Sequence, residues 1–188
     1  KPTVGTNASK NEMASFFGRV NYSFKDRYLL TATLRADGAS NFAANNKWAF
    51  FPSAALRWNI SNEAFMQNVS WIDDLSLRLS AGMTGNDAIS AYNSLAALSS
   101  TTGGYLFDGS QPVAFYRSRL SQPELTWEKT ASYNLALDWT MFGGRLALTA
   151  EAYTSRTTDL LLTVQVANQT GYSSHFCNLG EISNRGLE

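Results

Sequence analysis

ASFFGRVNYSFKDRYLLTATLRADGASNFAANNKWAFFPSAALRWNIS, residues 14–61, is the stretch whose reading decides the fold. It divides into three runs in which side chains of opposite character alternate residue by residue. In the first, Gly18, Val20, Tyr22 and Phe24 alternate with Phe17, Arg19, Asn21 and Ser23; in the second, Leu30, Ala32 and Leu34 alternate with Leu29, Thr31, Thr33 and Arg35. In the third, Leu56, Trp58 and Ile60 alternate with Ser53, Ala55, Arg57 and Asn59. Successive side chains of a strand point to opposite faces. The three runs therefore make a sheet with one apolar face and one polar face, and each strand carries an arginine on the polar face. What the apolar face meets decides the function.

The same pattern continues outward along the chain. Residues 75–84 set Leu75, Leu77, Leu79, Ala81 and Met83 against Ser76, Arg78, Ser80, Gly82 and Thr84. Strands are expected at 129–139 and 145–156, with Met141-Phe142-Gly143-Gly144 as a tight hairpin whose glycines supply positive φ. A seventh strand is expected to begin near Gly180. Between them, 37–48 and 157–179 read as loops, the latter with an extended ribbon over 160–166, and 85–128 loses the alternation altogether. Residues 61–74 break the pattern differently: Ser61 or Asn62 is placed to cap a helical turn over 63–67.

Composition narrows the classes of function. Fifteen Lys and Arg balance fifteen Asp and Glu in 188 residues, so no net field recruits nucleic acid, and no basic cluster interleaved with aromatics is present. One cysteine, Cys177, excludes an internal disulfide framework and a cysteine-rich metal site. The single histidine, His175, lies two residues away in what reads as a loop, without a third ligand or orienting group. No metal site, cofactor motif or catalytic constellation is expected. Asp73-Asp74 reads as a solvated turn. No run of 18 apolar residues offers a transmembrane helix. The chain opens at Lys1 without methionine and stops at Glu188 inside a starting strand, so both ends read as cuts in a longer protein.

Strand length suggests a second way to meet a membrane. Ten residues at about 3.3 Å each, tilted about 40°, rise roughly 25 Å, the height of the apolar band of an outer-membrane barrel. The connections 25–27, 61–74 and 141–144 fall on one side and are mostly short; 37–48, 85–128 and 157–179 fall on the other and are long. Short periplasmic turns and long extracellular loops have that asymmetry. Tyr22, Phe24, Tyr28, Trp58, Trp139 and Phe142 gather beside the short connections, as an interfacial girdle does. A soluble sandwich also hides one face of each sheet, so a soluble all-β binding or adhesion module of a secreted protein stays open as the alternative.

Five ordered segments carry a family resemblance: GRVNYSFKDRYLLTATLRADGASNF (18–42), FPSAALRWNISNEAFM (51–66), LSLRLSAGMTGND (75–87), ELTWEKTASYNLALDW (124–139) and NLGEISNRGLE (178–188). They resemble the barrel of SusC/RagA-type TonB-dependent transporters. The resemblance implies an all-β fold of antiparallel up-and-down strands. The chain would be an arc of six or seven strands in a 22-stranded transmembrane barrel, with residues 1–188 all within the barrel domain and plug and TonB box absent from them. It further implies an outer-membrane location, import of oligosaccharides or peptides, a SusD-like surface lipoprotein as lid, and energy from TonB.

Candidate site residues follow from the two faces and the loops. Arg19, Arg35, Arg57 and Arg78 occupy the polar faces, which on the barrel reading line the lumen; Asp138 and Glu151 share that face and are expected to pair with the arginines. Sugars and peptides are held by aromatic faces with a few polar groups. Tyr92, Tyr105, Phe115, Tyr116 and Trp127 in the longest loop, beside Arg117 and Arg119, are therefore the candidates for binding solute. The competing reading is that these aromatics pack the loop on itself or on the lid.

Overall fold

The computed structural model describes residues 8–102 and 106–188. Seven antiparallel strands follow one another in a single sheet: β1 (Met13–Phe24), β2 (Tyr28–Ala39), β3 (Trp48–Asn59), β4 (Ile72–Asn86), β7 (Glu128–Met141), β8 (Leu146–Thr158) and β11 (Glu181–Leu187). Four short strands form two ribbons outside that sheet. β5 (Ala97–Thr102) pairs with β6 (Val113–Arg119), and β9 (Leu161–Gln165) pairs with β10 (Ser174–Asn178). The order is the up-and-down arrangement expected, and the sheet does not close: β1 and β11 are its two edges.

Register keeps the two faces separate across strands. Leu30 stands opposite Tyr22 and Leu56, Leu56 opposite Leu79, Leu79 opposite Leu135, and Leu135 opposite Ala152. On the other face Thr31 stands between Asn21 and Ala55, Ser80 pairs with Ala55 and Asn134, and Asn134 with Tyr153. A slip of one residue would put leucines among the arginines, so the alternation itself fixes the register.

The short connections are built by local chemistry. Lys25 and Asp26 both take φ of +53°, and Arg27 N–H donates to Phe24 O at 3.0 Å to close the β1–β2 turn. Gly143 and Gly144 take the expected positive φ after β7, joined by Phe142 at +59°. The 61–74 connector departs from expectation. It holds two 3-10 turns, Ile60–Asn62 and Ala64–Met66, and neither Ser61 nor Asn62 caps a helix. Ser61 Oγ instead donates to Asp74 Oδ1 (3.1 Å) and Asn62 Nδ2 to Asp26 O (2.9 Å), because both side chains are drawn into tying neighbouring turns together. Asp73 and Asp74 are likewise engaged: Asp73 accepts from Gly144 N–H at 3.0 Å, and Asp74 lies 3.4 Å from Arg57.

At the long-loop end the strands outrun the expected boundaries. The β3–β4 ladder stops at Ser53–Gly82, although both strands continue. Into the wedge between them goes a small hydrophobic core of Ala39, Phe42, Ala49, Phe51, Ile89, Leu125 and Trp127, edged by Met83, Leu161 and Phe176. Ala49 and Phe51 belong to the polar face, paired with Asp37 and Arg35, so this core sits over that face. Gly85 is required here, since a Cβ would lie 2.0 Å from the Phe51 ring. His175 and Cys177, expected in a loop, lie on β10 and pair with Val164 and Leu162.

Candidate functional site

The polar face is a wall of anchored charges. Arg78 grips Asp138 with Nε and Nη2 at 2.6 and 3.0 Å, and Thr149 Oγ1 donates to the same carboxylate at 3.1 Å. Arg57 stands directly opposite Arg78 in register, a repulsive pairing. Asp74 at 3.4 Å and Asn59 Oδ1 at 2.8 Å draw Arg57 the other way. Arg35 donates to Asp37 at 2.7 Å, and Arg19 to Thr33 Oγ1 at 3.2 Å. Glu151 accepts from Asn134, not from an arginine as expected; Arg78 lies two strands away in register and turns its Nε and Nη2 to Asp138. Exposed pairs of this kind add little stability each. Together they leave a polar face on which the arginines are offset by Asp37, Asp74, Asp138 and Glu151.

The apolar face is bounded at both ends by aromatics. Beside the short turns, Tyr28 stacks on Trp58 with ring centroids 6.2 Å apart, and Trp71 contacts Trp139 and Phe142 at 5.9 and 6.4 Å. Beside the long loops, Phe16 stacks on Trp48 at 6.0 Å, and the Trp48 ring lies so close over Gly38 that a Cβ there would meet it at 2.8 Å. Ten residues of β2 separate the two belts, from Tyr28 to Gly38; at about 3.3 Å per residue and about 40° of tilt they stand roughly 25 Å apart. Trp71 and the second belt went unread in the sequence, since both lie where alternation fails. An open groove of about 1020 Å³ runs over this apolar face, past Leu30, Leu56, Leu79 and Leu135, with Arg185 of the edge strand β11 at one side.

Below the first belt, Glu63 ties the 61–74 connector to the β1–β2 turn and to the ends of β2 and β3. Its carboxylate accepts from Tyr28 Oη (2.8 Å), Trp58 Nε1 (3.1 Å) and Arg27 Nη1 (3.1 Å). The Tyr28 hydrogen bond first, then that of Trp58, hold the carboxyl below the usual carboxylate range, against the opposing cost of burial; the nearby Arg27 charge adds to them.

The loop candidates are dispersed. Phe115 and Tyr116 are adjacent on β6 and so face opposite ways; Phe115 shares its face with Arg117, which stands opposite Leu98. All three are exposed. Tyr92 is half-exposed at a φ of +66°, and its hydroxyl accepts from Lys10 N–H at 3.3 Å. Tyr105 lies outside the described residues. Trp127 is only 2% exposed, packed on Phe42 and Phe51 at 5.2 and 5.7 Å with its indole N–H donating to Lys47 O at 3.1 Å, and has no ring face to offer a solute. Arg119 is held at the base of the β5–β6 ribbon by Leu95 O and Asn93 Oδ1, each at 2.9 Å.

Comparison with known proteins bears on what this two-faced sheet belongs to. The family model described as "TonB dependent receptor-like, beta-barrel" matches residues 2–188. "TonB-dependent receptor P26" of Formosa agariphila is 44% identical over 94% of this chain and 18% of its own length. "TonB-dependent receptor SusC" of Bacteroides thetaiotaomicron is 37% identical over 96% of this chain and 18% of its own. Among solved structures, that of the RagAB peptide transporter superposes with a TM-score of 0.81 at 33% identity, over 94% of this chain and 19% of the matched one. This chain thus spans about a fifth of the length of these relatives, which are receptors and transporters, not enzymes. Continuous antiparallel strands, an apolar band between aromatic belts and these matches agree: the chain belongs to the TonB-dependent receptor β-barrel family, among its SusC/RagA-like members.

Proposed function

We propose that residues 1–188 are one arc of the barrel domain of an outer-membrane importer, driven through TonB and paired with a SusD-like surface lipoprotein. The observation that carries this reading is the pairing of faces on one sheet. Leu30, Leu56, Leu79 and Leu135 form an apolar band between two aromatic belts, and the opposite face is lined by anchored charges. The band meets acyl chains. The polar face, with Arg19, Arg35, Arg57, Arg78, Asp138 and Glu151, lines the solute path. Side chains already paired to one another make a wall along which a large polar solute slides without being trapped by a bare charge.

The solute is an oligosaccharide or a peptide. The likeness to the RagAB peptide transporter supports the peptide class; the oligosaccharide class follows from the family resemblance of the sequence. The solute contacts proposed in the long loops are Tyr92, Tyr105, Phe115, Tyr116 and Arg117; Trp127 serves the loop core instead. The test is uptake by cells expressing the full-length protein, offered fluorescent oligosaccharides and fluorescent peptides. One class is expected to enter, and entry is expected to stop on depletion of TonB or deletion of the partner lipoprotein. Uptake that survives both losses would overturn the reading.

A further inference from the structure

Between the bases of the two ribbons lies a pocket of about 280 Å³, walled on one side by Asn93, Ser118, Arg119 and Gln122 and on the other by Ser174 and His175. It adjoins the loop core, because Phe176 borders both. That core rests on the polar face, so the pocket sits at the mouth of the proposed solute path. Its volume suits a single residue of a longer ligand rather than a whole oligomer.

The chemistry of the lining is one-sided. No Asp or Glu borders the pocket. Among the described residues Arg119, like Arg19, Arg117, Arg145 and Arg185 and unlike Arg27, Arg35, Arg57, Arg78 and Arg156, is in no salt bridge with a carboxylate, and Arg119 is the one that lines this pocket. Its Nε and Nη1 are spent on neutral acceptors, Leu95 O and Asn93 Oδ1, which fix the guanidinium plane without cancelling its charge. Nη2 has no hydrogen-bond partner among the described residues. Among the described residues, Gln122 Nε2 in the same wall and His175 Nδ1 in the facing one are buried and unpartnered. Orphaned buried polar atoms are rare in folded proteins and call for an explanation. An anchored, uncancelled guanidinium beside hydroxyls and a spare amide N–H is the arrangement that recognises a carboxylate.

We propose that this pocket receives a carboxylate carried by the transported solute, with Arg119 as the charged contact and Ser118, Ser174 and Gln122 as supporting donors. The group is the C-terminal carboxylate of a peptide or the carboxylate of a uronic acid residue. The proposal rests on the importer reading and names the end group that the importer selects.

The experiment is direct binding to the purified full-length protein in detergent, measured by calorimetry. Two probe pairs separate the sources: acetyl-Ala-Gly-Ala-Gly with a free C-terminus against its C-terminal amide, and trigalacturonate against its methyl ester. In at least one pair the acid is expected to bind about tenfold or more tightly than its neutral counterpart. Arg119→Gln should abolish that preference, bringing the acid's affinity down to that of its neutral counterpart. Gln122→Glu, which keeps the side chain's shape but adds a negative charge, should weaken acid binding by about tenfold without touching Arg119. No acid preference in either pair, or one that survives both substitutions, would overturn the site. Because binding is read without transport, an intact TonB-dependent uptake alongside such a result would leave the importer reading standing.

Discussion

Replacing Trp127 with alanine separates the loop core from the barrel wall. The indole is almost wholly buried, packs against Phe42 and Phe51 and donates a hydrogen bond to Lys47 O. Truncating a buried tryptophan costs about 3–5 kcal/mol. Trp127→Phe retains a ring and removes one of two hydrogen bonds to Lys47 O, which still accepts from Ala39 N–H, and should cost about 0.5–1.5 kcal/mol. Little of this loss falls on the ladders of the seven-stranded sheet: only the long-loop ends of β2, β3 and β7 border the wedge, and the rest of the backbone pairing runs away from it. The full-length protein should therefore still assemble and still migrate as a folded, heat-modifiable barrel. Loop opening is another matter. When opening and closing are fast, cleavage by a protease added to intact cells tracks the population of the open state, so about 3 kcal/mol becomes a roughly 100-fold faster cut between 85 and 128. An unchanged cleavage rate would show that the loop core does not hold the loops, and loss of the folded barrel would show that loops and wall are one cooperative unit.

Two further changes test the wall itself. Ala81→Arg sets a charge on the apolar face between Ala54 and Tyr133, four residues along β4 from Leu77, which faces the Trp58 belt; it should cost about 2–4 kcal/mol toward the bilayer midplane and cut the amount of protein recovered in outer membranes, whereas normal recovery would contradict the lipid-facing assignment. Glu63 makes a pH prediction. Its folded-state pKa lies below the ordinary value of 4.5, so its stabilising effect is complete above that value and fades as pH falls through the folded-state pKa. The fluorescence of Trp58 in the full-length protein should report loosening of the short-turn end in that acid range, and Glu63→Gln should loosen it at neutral pH and flatten the pH response.

The seven wall strands are legible in the sequence because one of their faces is apolar along nearly the whole length, and a period of two shows only where the faces differ. That signal fades at the long-loop end. There Ala49 and Phe51 are covered by the loop core on the polar face while Trp48 and Phe50 stay exposed on the other, so both faces are apolar and the strand ends blur. The ribbons were harder to see for the opposite reason. Ala97–Thr102 is mostly small polar residues, with Leu98 exposed, and pairing without a buried face leaves little alternation. The LLLTVQV segment, apolar enough to notice, was legible as extended chain.

The site residues divide along the same line. Arg78 and Asp138 share a face by parity and meet as expected, since a cross-strand contact needs only the strand order. Trp127 misled because its partners Phe42 and Phe51 come from segments more than 70 residues away, and nothing local marks an aromatic in a long loop as core. Glu63 resembles any solvated turn carboxylate until the Tyr28 hydroxyl, 35 residues distant, closes on it. Arg119 stands beside Arg117 in sequence, yet only the anchoring by Asn93 and Leu95 distinguishes it.

The central claim is that one face of this sheet meets lipid and the other meets water. Spin labels test it most directly. After Cys177 is replaced by serine, single cysteines at Leu77, Leu79, Leu135 and Leu137, and at Ser80, Ser132 and Asn134, are labelled in the full-length protein reconstituted in bilayers. Collision with oxygen, which concentrates in lipid, should dominate at the four leucine positions. Collision with a water-soluble nickel chelate should dominate at the three polar ones. A period-two alternation between the reagents is the predicted result; uniform nickel accessibility on both faces, or the reverse alternation, would contradict it.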